Sequence, residues 1–573
     1  MRRLLLGVAV LIVSGVAFAL LTLPPRRLAL APSADGAVPG ILHIHSTRSD
    51  GRGTPDEIAA AAARAGATFI VFTDHGDATR PPDAPVYRSG VLCLDGVEIS
   101  TTGGHYIALD MPAAPYPLAG EPRDVVDDVR RLGGFGIAAH PDSPKAELRW
   151  SDWDAPFDGV EWINPDSSWR VHAASGWGSR FRLVEGLLHY PIRPEETLAS
   201  LLTGFEETMA RWNTLAGRRR VVGVAGVDAH AKLELRNANP GDNRFSIPLP
   251  TYEASFRMLS VHVTPERPLS GDAATDAALL MRAIRAGHLY TAIDGLASPP
   301  AFDFTATNGR GTVHQGDELG VGGPVSIHVR SNAPEGFTTI IWRGAEVLKA
   351  EQSNELTIEA GEGPAVYRAE VRTNDSERPR TWLLGNAVIV RAPQPLQATQ
   401  QASVTSETAL FDGRTDGGWH VETGPSSIAA VEVGETLTGF ELRYRYALAG
   451  NAAGDSQWAA LAWGTPIGHA PINVADFDRL TFTARAEQSM RVSVQLRTLE
   501  AGRALRRWQR SVFLDTFDQE HTVSFKDLVP SAGTDPREPP LDQISQILFV
   551  VDTMNAKPAS AGRFWIKSAA FQK

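Results

Sequence analysis

Between residues 39 and 300, short continuous apolar runs alternate with segments of helical periodicity. Continuous runs without polar alternation are typical of strands that are covered on both faces, as in parallel sheets. The runs are Ile41-Leu42, Phe69–Phe72, Val91-Leu92, Tyr106–Leu109, Gly136–Ala139, Gly159-Val160 and Val221–Val224. A capping box with proline at the first helical position starts a helix at Thr54, and Gly66 ends it. Further helices are predicted over 121–132 and 195–215, so the repeated alternation predicts an α/β barrel.

The hydrophobic pattern changes after Pro299-Pro300. Runs such as Val325–Val329 and Thr338–Trp342 are separated by Gly-rich turns, which predicts a β-sandwich over 301–393. A polar linker is expected at 394–406. Residues 407–573 contain further runs of β type, such as Leu480–Ala484, and predict a second all-β domain. The fold class is therefore multidomain, α/β followed by all-β.

The pattern of the N-terminal residues predicts a targeting segment rather than part of a folded domain. The twenty residues Leu4–Leu23 carry no charge, and a helix of that length would span about 30 Å. The alternative is a cleaved signal peptide, for which Ala17-Phe18-Ala19 has the small-x-small pattern. We therefore interpret 1–23 as a membrane anchor or signal segment and 24–38 as a linker. Both alternatives predict an exported chain that is membrane-anchored or periplasmic.

Composition and charge exclude several classes of function. A length of 573 residues predicts about three or four domains. The net charge of -11 and the pI near 5.8 indicate no surface for nucleic-acid binding. The single cysteine, Cys93, excludes an intramolecular disulfide and a cysteine-based zinc cluster.

Histidines and acids collect at the ends of the apolar runs. Six of the eight histidines before residue 231 lie there: His43, His45, His75, His105, His140 and His230. Three acids accompany them: Asp50, Glu98 and Asp228. If the strands are parallel, these side chains meet at one rim of the barrel, where active sites of barrel enzymes lie. A lone histidine at a strand end is more often a hydrogen-bonded loop residue, but nine such donors predict a site for two or three divalent ions.

The order of these motifs resembles the PHP (polymerase and histidinol phosphatase) superfamily. The matching motifs are His43-Ile44-His45, Ser49-Asp50-Gly51, Thr73-Asp74-His75, Gly96-Val97-Glu98, Gly104-His105, Ala139-His140-Pro141 and Asp228-Ala229-His230. The resemblance covers 39–300 and implies a distorted seven-stranded (β/α) barrel with a trinuclear metal site. By this resemblance, all nine residues would be metal ligands and would act in catalysis through a metal-activated hydroxide. Glu98 would bridge two of the ions. Zn, Mn and Fe are the candidate metals.

Within that superfamily the layout looks most like the CehA/McbA-type exported multidomain members. The resemblance implies an extracytoplasmic hydrolase, with a phosphoesterase favoured. A carbamate or carboxylic-ester hydrolase on the same site stays open, as does an inactive carbohydrate-binding protein. The expected partners are a small-molecule or phosphoester substrate and, through residues 1–23, a membrane.

Several supporting roles are predicted around this site. Asp74, Glu161 and Asn164 are candidates for orienting the histidine rings from outside the ligand set. Arg170, Arg180 and Arg182 lie in a Trp-rich stretch, 169–182, that we interpret as a rim loop. A solvated arginine face is an equally good interpretation of that stretch.

The two β domains carry weaker resemblances. Residues 301–393 resemble an immunoglobulin-like spacer. Residues 407–573 resemble galactose-binding-type jelly rolls, which implies possible polysaccharide binding. Four tryptophans of that region, Trp419, Trp458, Trp463 and Trp508, are candidates for either core or sugar contacts.

Overall fold

The chain is described here from a computed structural model. The structure describes all residues except 1–13, 33–35, 235–243, 245, 375–378, 393–403, 414–416, 438, 451–456, 465–471, 499–505 and 532–536. Most of the predicted linker 394–406 and the first half of the predicted anchor therefore lie outside the described residues. The chain divides into two compact units, one of 1–112 and 125–396 and one of 113–124 and 397–573.

A curved sheet forms the centre of the first unit. Its strands in chain order are β2 (Val38–Ile44), β3 (Phe69–Phe72), β4 (Val86–Arg88), β5 (Val91–Thr101), β6 (Gly104–Leu109), β7 (Phe135–Ala138), β8 (Gly159–Ile163), β9 (Val222–Ala225), β12 (Ser260–Val263) and β13 (Leu289–Ala292). The spatial order is β13-β12-β2-β3-β5-β6-β7-β8-β9, with β4 on β5. Every apolar run predicted before residue 300 therefore overlaps a strand of this sheet.

The strands are not all parallel, which corrects one expectation. β2, β3 and β5 are mutually parallel, as are β7, β8 and β9, but β6 is antiparallel to both of its neighbours. The cause is the tight turn between Thr101 and Gly104, which folds β5 and β6 into a hairpin. The residues just after β9 hydrogen bond to the end of β2, through the N–H groups of Val227 and Ala229 and the N–H group of His45. Between described residues, no strand ladder links β9 to β12 or β13, so the expected closed seven-stranded barrel stays a prediction.

Helices lie before and between these strands along the chain. They are α1 (14–21), α2 (Pro55–Ala65), α3 (Pro122–Arg131), α4 (Pro165–Ala174), α5 (Trp177–His189), α6 (Pro194–Ser200), α7 (Glu206–Ala216), α8 (Tyr252–Met258) and α9 (Ala273–Ala286). The predicted capping box at Thr54 is formed, and Gly66 has a left-handed conformation with φ of 87°. Within the described ranges, no helix is both long and apolar enough to cross a bilayer.

Two helical predictions need correction. The segment predicted as one helix over 195–215 forms α6 and α7, separated by residues that include Gly204 at a φ of 89°. The stretch 169–182 is not a rim loop, because α4 and α5 occupy most of it. Pro165 at the first position and the Asn164 side chain at the N-cap explain the start of α4.

Some of the strands after residue 300 continue the same hydrogen-bonded sheet, and the others form a separate sheet. The strands are β15 (Phe302–Asn308), β16 (Gly311–His314), β17 (Glu318–Gly320), β18 (Ser326–Ser331), β19 (Phe337–Arg343), β20 (Glu346–Glu351), β21 (Glu355–Glu359), β22 (Ala365–Thr373), β23 (Thr381–Gly385) and β24 (Val388–Arg391). β23 pairs with β13, while β15, β16, β18 and β21 form a separate sheet. The expected boundary at 300 thus does not divide two compact units.

Three short strand pairs complete the description. Two lie in the first unit: β1 (Leu28–Ala29) pairs with β14 (Ala297–Ser298), and β10 (Leu233–Glu234) pairs with β11 (Ser246–Ile247). In the second unit, β34 (Val529–Pro530) pairs with β32 (Arg506–Leu514). A 3-10 turn, Phe525–Asp527, precedes β34.

The second unit is an antiparallel β-sandwich. One sheet contains β25 (Glu407–Phe411), β27 (Ile428–Thr436), β28 (Gly439–Ala447), β30 (Arg479–Ala486), β33 (Gln519–Ser524) and β36 (Ala561–Gln572). The other contains β26 (Trp419–Thr423), β29 (Trp458–Gly464), β31 (Met490–Thr498), β35 (Ile544–Asp552), β32 and β34. Trp419 and Trp508 lie in the core between the sheets, which leaves neither exposed as a sugar platform.

Candidate metal centre

The ends of the curved sheet's strands bring the predicted polar side chains together. His43 and His45 end β2, His75 follows β3, and His140 follows β7. Glu98 lies in β5 and His105 begins β6, so the reversed direction of β6 puts its first residues at the rim where the parallel strands end. Asp228 and His230 follow β9.

All nine predicted residues belong to four groups that could each hold a metal ion. Within each group the ligand atoms lie within 4.8 Å of one another. The groups are His45-Asp50-His75-His230, His43-Glu98-His140, His43-His45-Asp228 and His75-Glu98-His105. Because the groups share members, the nine side chains form one continuous cluster.

Glu98 lies at the centre of this cluster and is buried. Its Oε1 is 2.8 Å from Nδ1 of His105 and 2.8 Å from Nε2 of His140. Its Oε2 faces three other rings, at 3.2 Å from Nε2 of His43, 3.1 Å from Nε2 of His45 and 3.3 Å from Nδ1 of His75. The two oxygens thus serve different histidines, which is the arrangement expected of a bridging carboxylate.

Asp50 and Asp228 supply the remaining carboxylates. Asp228 Oδ1 lies 3.3 Å from Nε2 of both His43 and His45. Asp50 Oδ1 lies 3.3 Å from Nε2 of His230 and 3.5 Å from Nδ1 of His45. A third histidine lies near each acid, His230 at 3.5 Å from Asp228 and His75 at 3.8 Å from Asp50, and the His45 ring is shared between both acids.

Three members of the cluster have left-handed backbone conformations, which non-glycine residues rarely adopt. The φ angles are 65° at His43, 29° at His140 and 52° at Asp228. Such conformations are unfavourable by roughly 1–3 kcal/mol each and persist only where the surrounding structure enforces them. Their concentration at this rim shows that the fold holds these side chains in position.

Glu161 lies directly behind the cluster, as the sequence predicts. Its Oε1 is 2.5 Å from Nδ1 of His43, and its Oε2 accepts hydrogen bonds from the backbone N–H of His140 and from Asn164 Nδ2. A Cβ at Gly226 would stand 1.6 Å from Oε1 of Glu161, so only glycine leaves room for this carboxylate. Glu161 fixes which nitrogen of His43 faces Glu98.

Asp74 holds the loop that carries Asp50. Its carboxylate accepts hydrogen bonds from the Ser46 N–H, the Ser46 hydroxyl and the Ser49 hydroxyl. The Tyr252 hydroxyl supports the same loop by donating to the carbonyl of His45 at 2.8 Å. Sequence analysis did not find Tyr252, because it is about two hundred residues away and no local motif marks it.

Electrostatics in the cluster favour ionised carboxylates. Burial acts to raise the pKa of Glu98, but the surrounding histidines, His43 foremost, hold it well below its usual range. Burial acts to lower the pKa of His45, yet the hydrogen-bonding and negatively charged carboxylates of Asp228 and Glu98 raise it to about 9. The raised pKa values of His43 and His45 favour protons that balance part of the buried negative charge, and a cation that binds there would displace them.

The donor set fits divalent metal ions. Nitrogen and oxygen ligands of zinc lie at about 2.0–2.2 Å, so two ligands of one ion are separated by roughly 3.0–3.5 Å. The nitrogen-oxygen distances of 3.1, 3.2 and 3.3 Å around Glu98 Oε2 match that separation. Six imidazoles and three carboxylates suit Zn, Mn or Fe better than Ca or Mg, which prefer oxygen ligands.

The candidate arginines have structural partners. Arg170 pairs with Asp166 within α4, and the guanidinium of Arg180 lies 5.8 Å from the ring centroid of Trp177. Neither observation points to a substrate contact, and Arg182 lies on α5 like Arg180.

Sequence comparison finds a relative for part of the chain. No protein-family profile matches the chain. An uncharacterized protein of Methanocaldococcus jannaschii, MJ1587, is 29% identical over 137 residues, which are 22% of this chain and 80% of that protein.

The solved structures found to be similar include carbohydrate-binding modules and an agarase. A family 11 carbohydrate-binding module from Clostridium thermocellum, in complex with a β-1,3-1,4-mixed-linked tetrasaccharide, is 14% identical with a TM-score of 0.24, covering 30% of this chain and 96% of that one. A family 30 carbohydrate-binding module is 11% identical with a TM-score of 0.22, covering 30% and 89%. An exo-β-agarase is 13% identical with a TM-score of 0.20, covering 29% and 25%.

Proposed function

We propose that the chain is a metal-dependent hydrolase of the PHP superfamily, with a phosphoester as its substrate class. The observation that carries this proposal is the position of Glu98. Its two oxygens face five histidines from the ends of four strands, within distances that shared metal ligands require. A purely structural carboxylate would not need five imidazoles as partners, four of them buried.

The chain's own residues hold and orient the reactive centre. Bound divalent ions would lower the pKa of a water molecule to about 7 and polarise a phosphoryl or carbonyl oxygen. Glu98, Asp50 and Asp228 would supply the negative charge that retains the ions. Glu161 would keep Nε2 of His43 directed at the cluster by accepting the proton of Nδ1.

A carbamate or carboxylic-ester hydrolase is the second candidate, since the same cluster would serve it. The third candidate, an inactive carbohydrate-binding protein, would have no need to keep all nine residues within reach of one another. Polysaccharide binding by residues 407–573 is a separate proposal and is compatible with each of the three.

A substrate panel separates these candidates. The full chain, loaded with Mn or Zn, is assayed with p-nitrophenyl phosphate, bis-p-nitrophenyl phosphate and a naphthyl carbamate. We expect phosphoester turnover that a chelator abolishes and metal restores. Turnover of the carbamate alone would support the second candidate, and no turnover of any substrate by metal-loaded protein would contradict a hydrolase.

We also propose that the chain is exported and held at the membrane through residues 1–23. The support is the run of twenty uncharged residues, Leu4–Leu23, with arginines on both sides. A bacterial alkaline phosphatase fused after Ser33 should be active, because that reporter folds only outside the cytoplasm. An inactive fusion beside an active cytoplasmic reporter at the same position would contradict export.

A further inference from the structure

An apolar stripe runs along the exposed face of α5. It consists of Trp177, Phe181, Val184 and Leu188, whose spacing of four, three and four residues places them on one side of the helix. Their exposed fractions are 85%, 54%, 53% and 44%. Single exposed apolar residues are ordinary, but contiguous exposed apolar patches on soluble proteins usually mark an interaction site.

The N-terminal segment lies beside this stripe. The rings of Phe18 and Phe181 are in edge-on contact, with centroids 6.1 Å apart. The Thr22 hydroxyl is 2.9 Å from Nε2 of His189, at the end of α5. Helix α1 exposes Val16, Leu20 and Leu21 next to this contact, with Leu21 86% exposed. The apolar stripe of α5 therefore continues into the apolar N-terminal segment.

The sequence segments that form the stripe and adjoin it contain more arginines than acidic residues. Residues 1–34 contain four arginines and no acidic residue. Helix α5 itself carries Arg180 and Arg182 against a single acid, Glu185. The whole chain has a net charge of -11, so this positive region stands out from the rest of the sequence.

We propose that the apolar stripe of α5 lies in the interfacial layer of an anionic lipid bilayer. A helix with an apolar face and flanking arginines has the pattern of interfacial helices, which bury that face about 5–10 Å into the headgroup region. Tryptophan suits this layer because its ring is apolar and its N–H is polar. The uncharged run Leu4–Leu23, which ends beside α5, brings the stripe to the same surface.

A second copy of the chain is the competing occupant of the stripe. Two copies would bring Arg180 and Arg182 of one close to those of the other, whereas anionic headgroups attract all four. The proposal is independent of the hydrolase activity, since no member of the metal cluster lies on α5.

Site-specific labels test this proposal in the full chain. With Cys93 replaced by alanine, Val184→Cys and Leu188→Cys are each labelled with an environment-sensitive fluorophore. Thr214→Cys, at an exposed position of α7, is the matched control. The proteins are incorporated into vesicles of phosphatidylcholine and phosphatidylglycerol in equal parts. Quenching is then measured with doxyl-labelled lipids and with aqueous iodide.

We expect lipid-borne quenching several-fold stronger at 184 and 188 than at 214, with the opposite order for iodide. Equal access of iodide to all three positions would overturn the proposal. Protection of 184 and 188 from both quenchers would also overturn it, since that result indicates a covering protein copy. A chain that does not float with these vesicles would overturn it as well.

Discussion

The carboxylate of Glu161 lies 2.5 Å from Nδ1 of His43, on the side of the ring opposite Glu98. His43 is thereby held between two buried acids at a backbone φ of 65°. An imidazole whose outer nitrogen is bound by a carboxylate keeps one tautomer and is a stronger ligand through the other nitrogen. Glu161 therefore positions the His43 ring and is not itself one of the nine candidate metal ligands.

Glu161→Gln should weaken metal retention by about 10- to 100-fold, because the neutral amide holds the His43 ring less firmly. Folding should change little, since glutamine has the same shape. Equilibrium dialysis with Zn or Mn measures the effect, with the exposed Glu266→Gln as control. Unchanged metal affinity in Glu161→Gln would show that the contact has no functional role.

Gly226→Ala tests the same contact without altering any acid. The added Cβ would stand 1.6 Å from Oε1 of Glu161, so the carboxylate must move away from His43. We expect a loss of metal affinity in the same direction as in Glu161→Gln. If the double variant loses no more than either single one, the two changes act through one contact. Strictly additive losses would argue against this coupling.

Glu98→Gln should reduce turnover at least about a hundredfold, which corresponds to about 2.7 kcal/mol in the barrier. The amide offers one neutral oxygen where two anionic oxygens now face five histidines. The bound metal should fall with the activity, and circular dichroism should remain that of the folded chain. Full turnover with unchanged metal content would remove Glu98 from the site.

Asp294 predicts a pH effect on stability that is separate from the metal cluster. Burial raises its pKa from 3.8 to about 7, although Ser260 and Ser298 donate hydrogen bonds to it. The folded state therefore binds a proton that the unfolded state has lost, and stability falls as pH rises from about 4 to about 7.

Asp294→Asn should remove this dependence. The variant should resemble the parent near about pH 4 and exceed its stability above about pH 7, by up to about 4 kcal/mol. Urea unfolding at both pH values measures the difference, with Asp476→Asn as an exposed control. An equal effect of Asp294→Asn at both pH values would contradict a buried, protonated Asp294.

Local signals in the sequence were sufficient for much of the fold. The apolar runs lie in strands, and the Thr54 capping box begins α2 as predicted. Strand direction was not predictable, because an apolar run reads the same for parallel and antiparallel pairing, and β6 is antiparallel. Helices α4 and α5 occupy a stretch, 169–182, that the sequence predicts to be a loop, because its tryptophans and arginines hide the helical spacing of the apolar residues in α5.

The site was easier to predict than the fold around it. Histidine and acid motifs mark strand ends directly in the sequence, and the structure brings all nine residues together. Asp74 and Glu161 were also identified as supports. Two further supports could not be identified from the sequence: Tyr252 and the carbonyl of Leu148, which lies 3.0 Å from Nδ1 of His140. Such contacts depend on long-range packing and on backbone position.

Elemental analysis of the gently purified full chain tests the central claim most directly. The cluster of nine donors in four overlapping groups predicts two to three equivalents of Zn, Mn or Fe per chain. Glu98→Gln, purified in parallel, should retain clearly less metal than the parent. Less than about one equivalent in the parent, with no uptake on dialysis against these metals, would contradict a multinuclear metal centre.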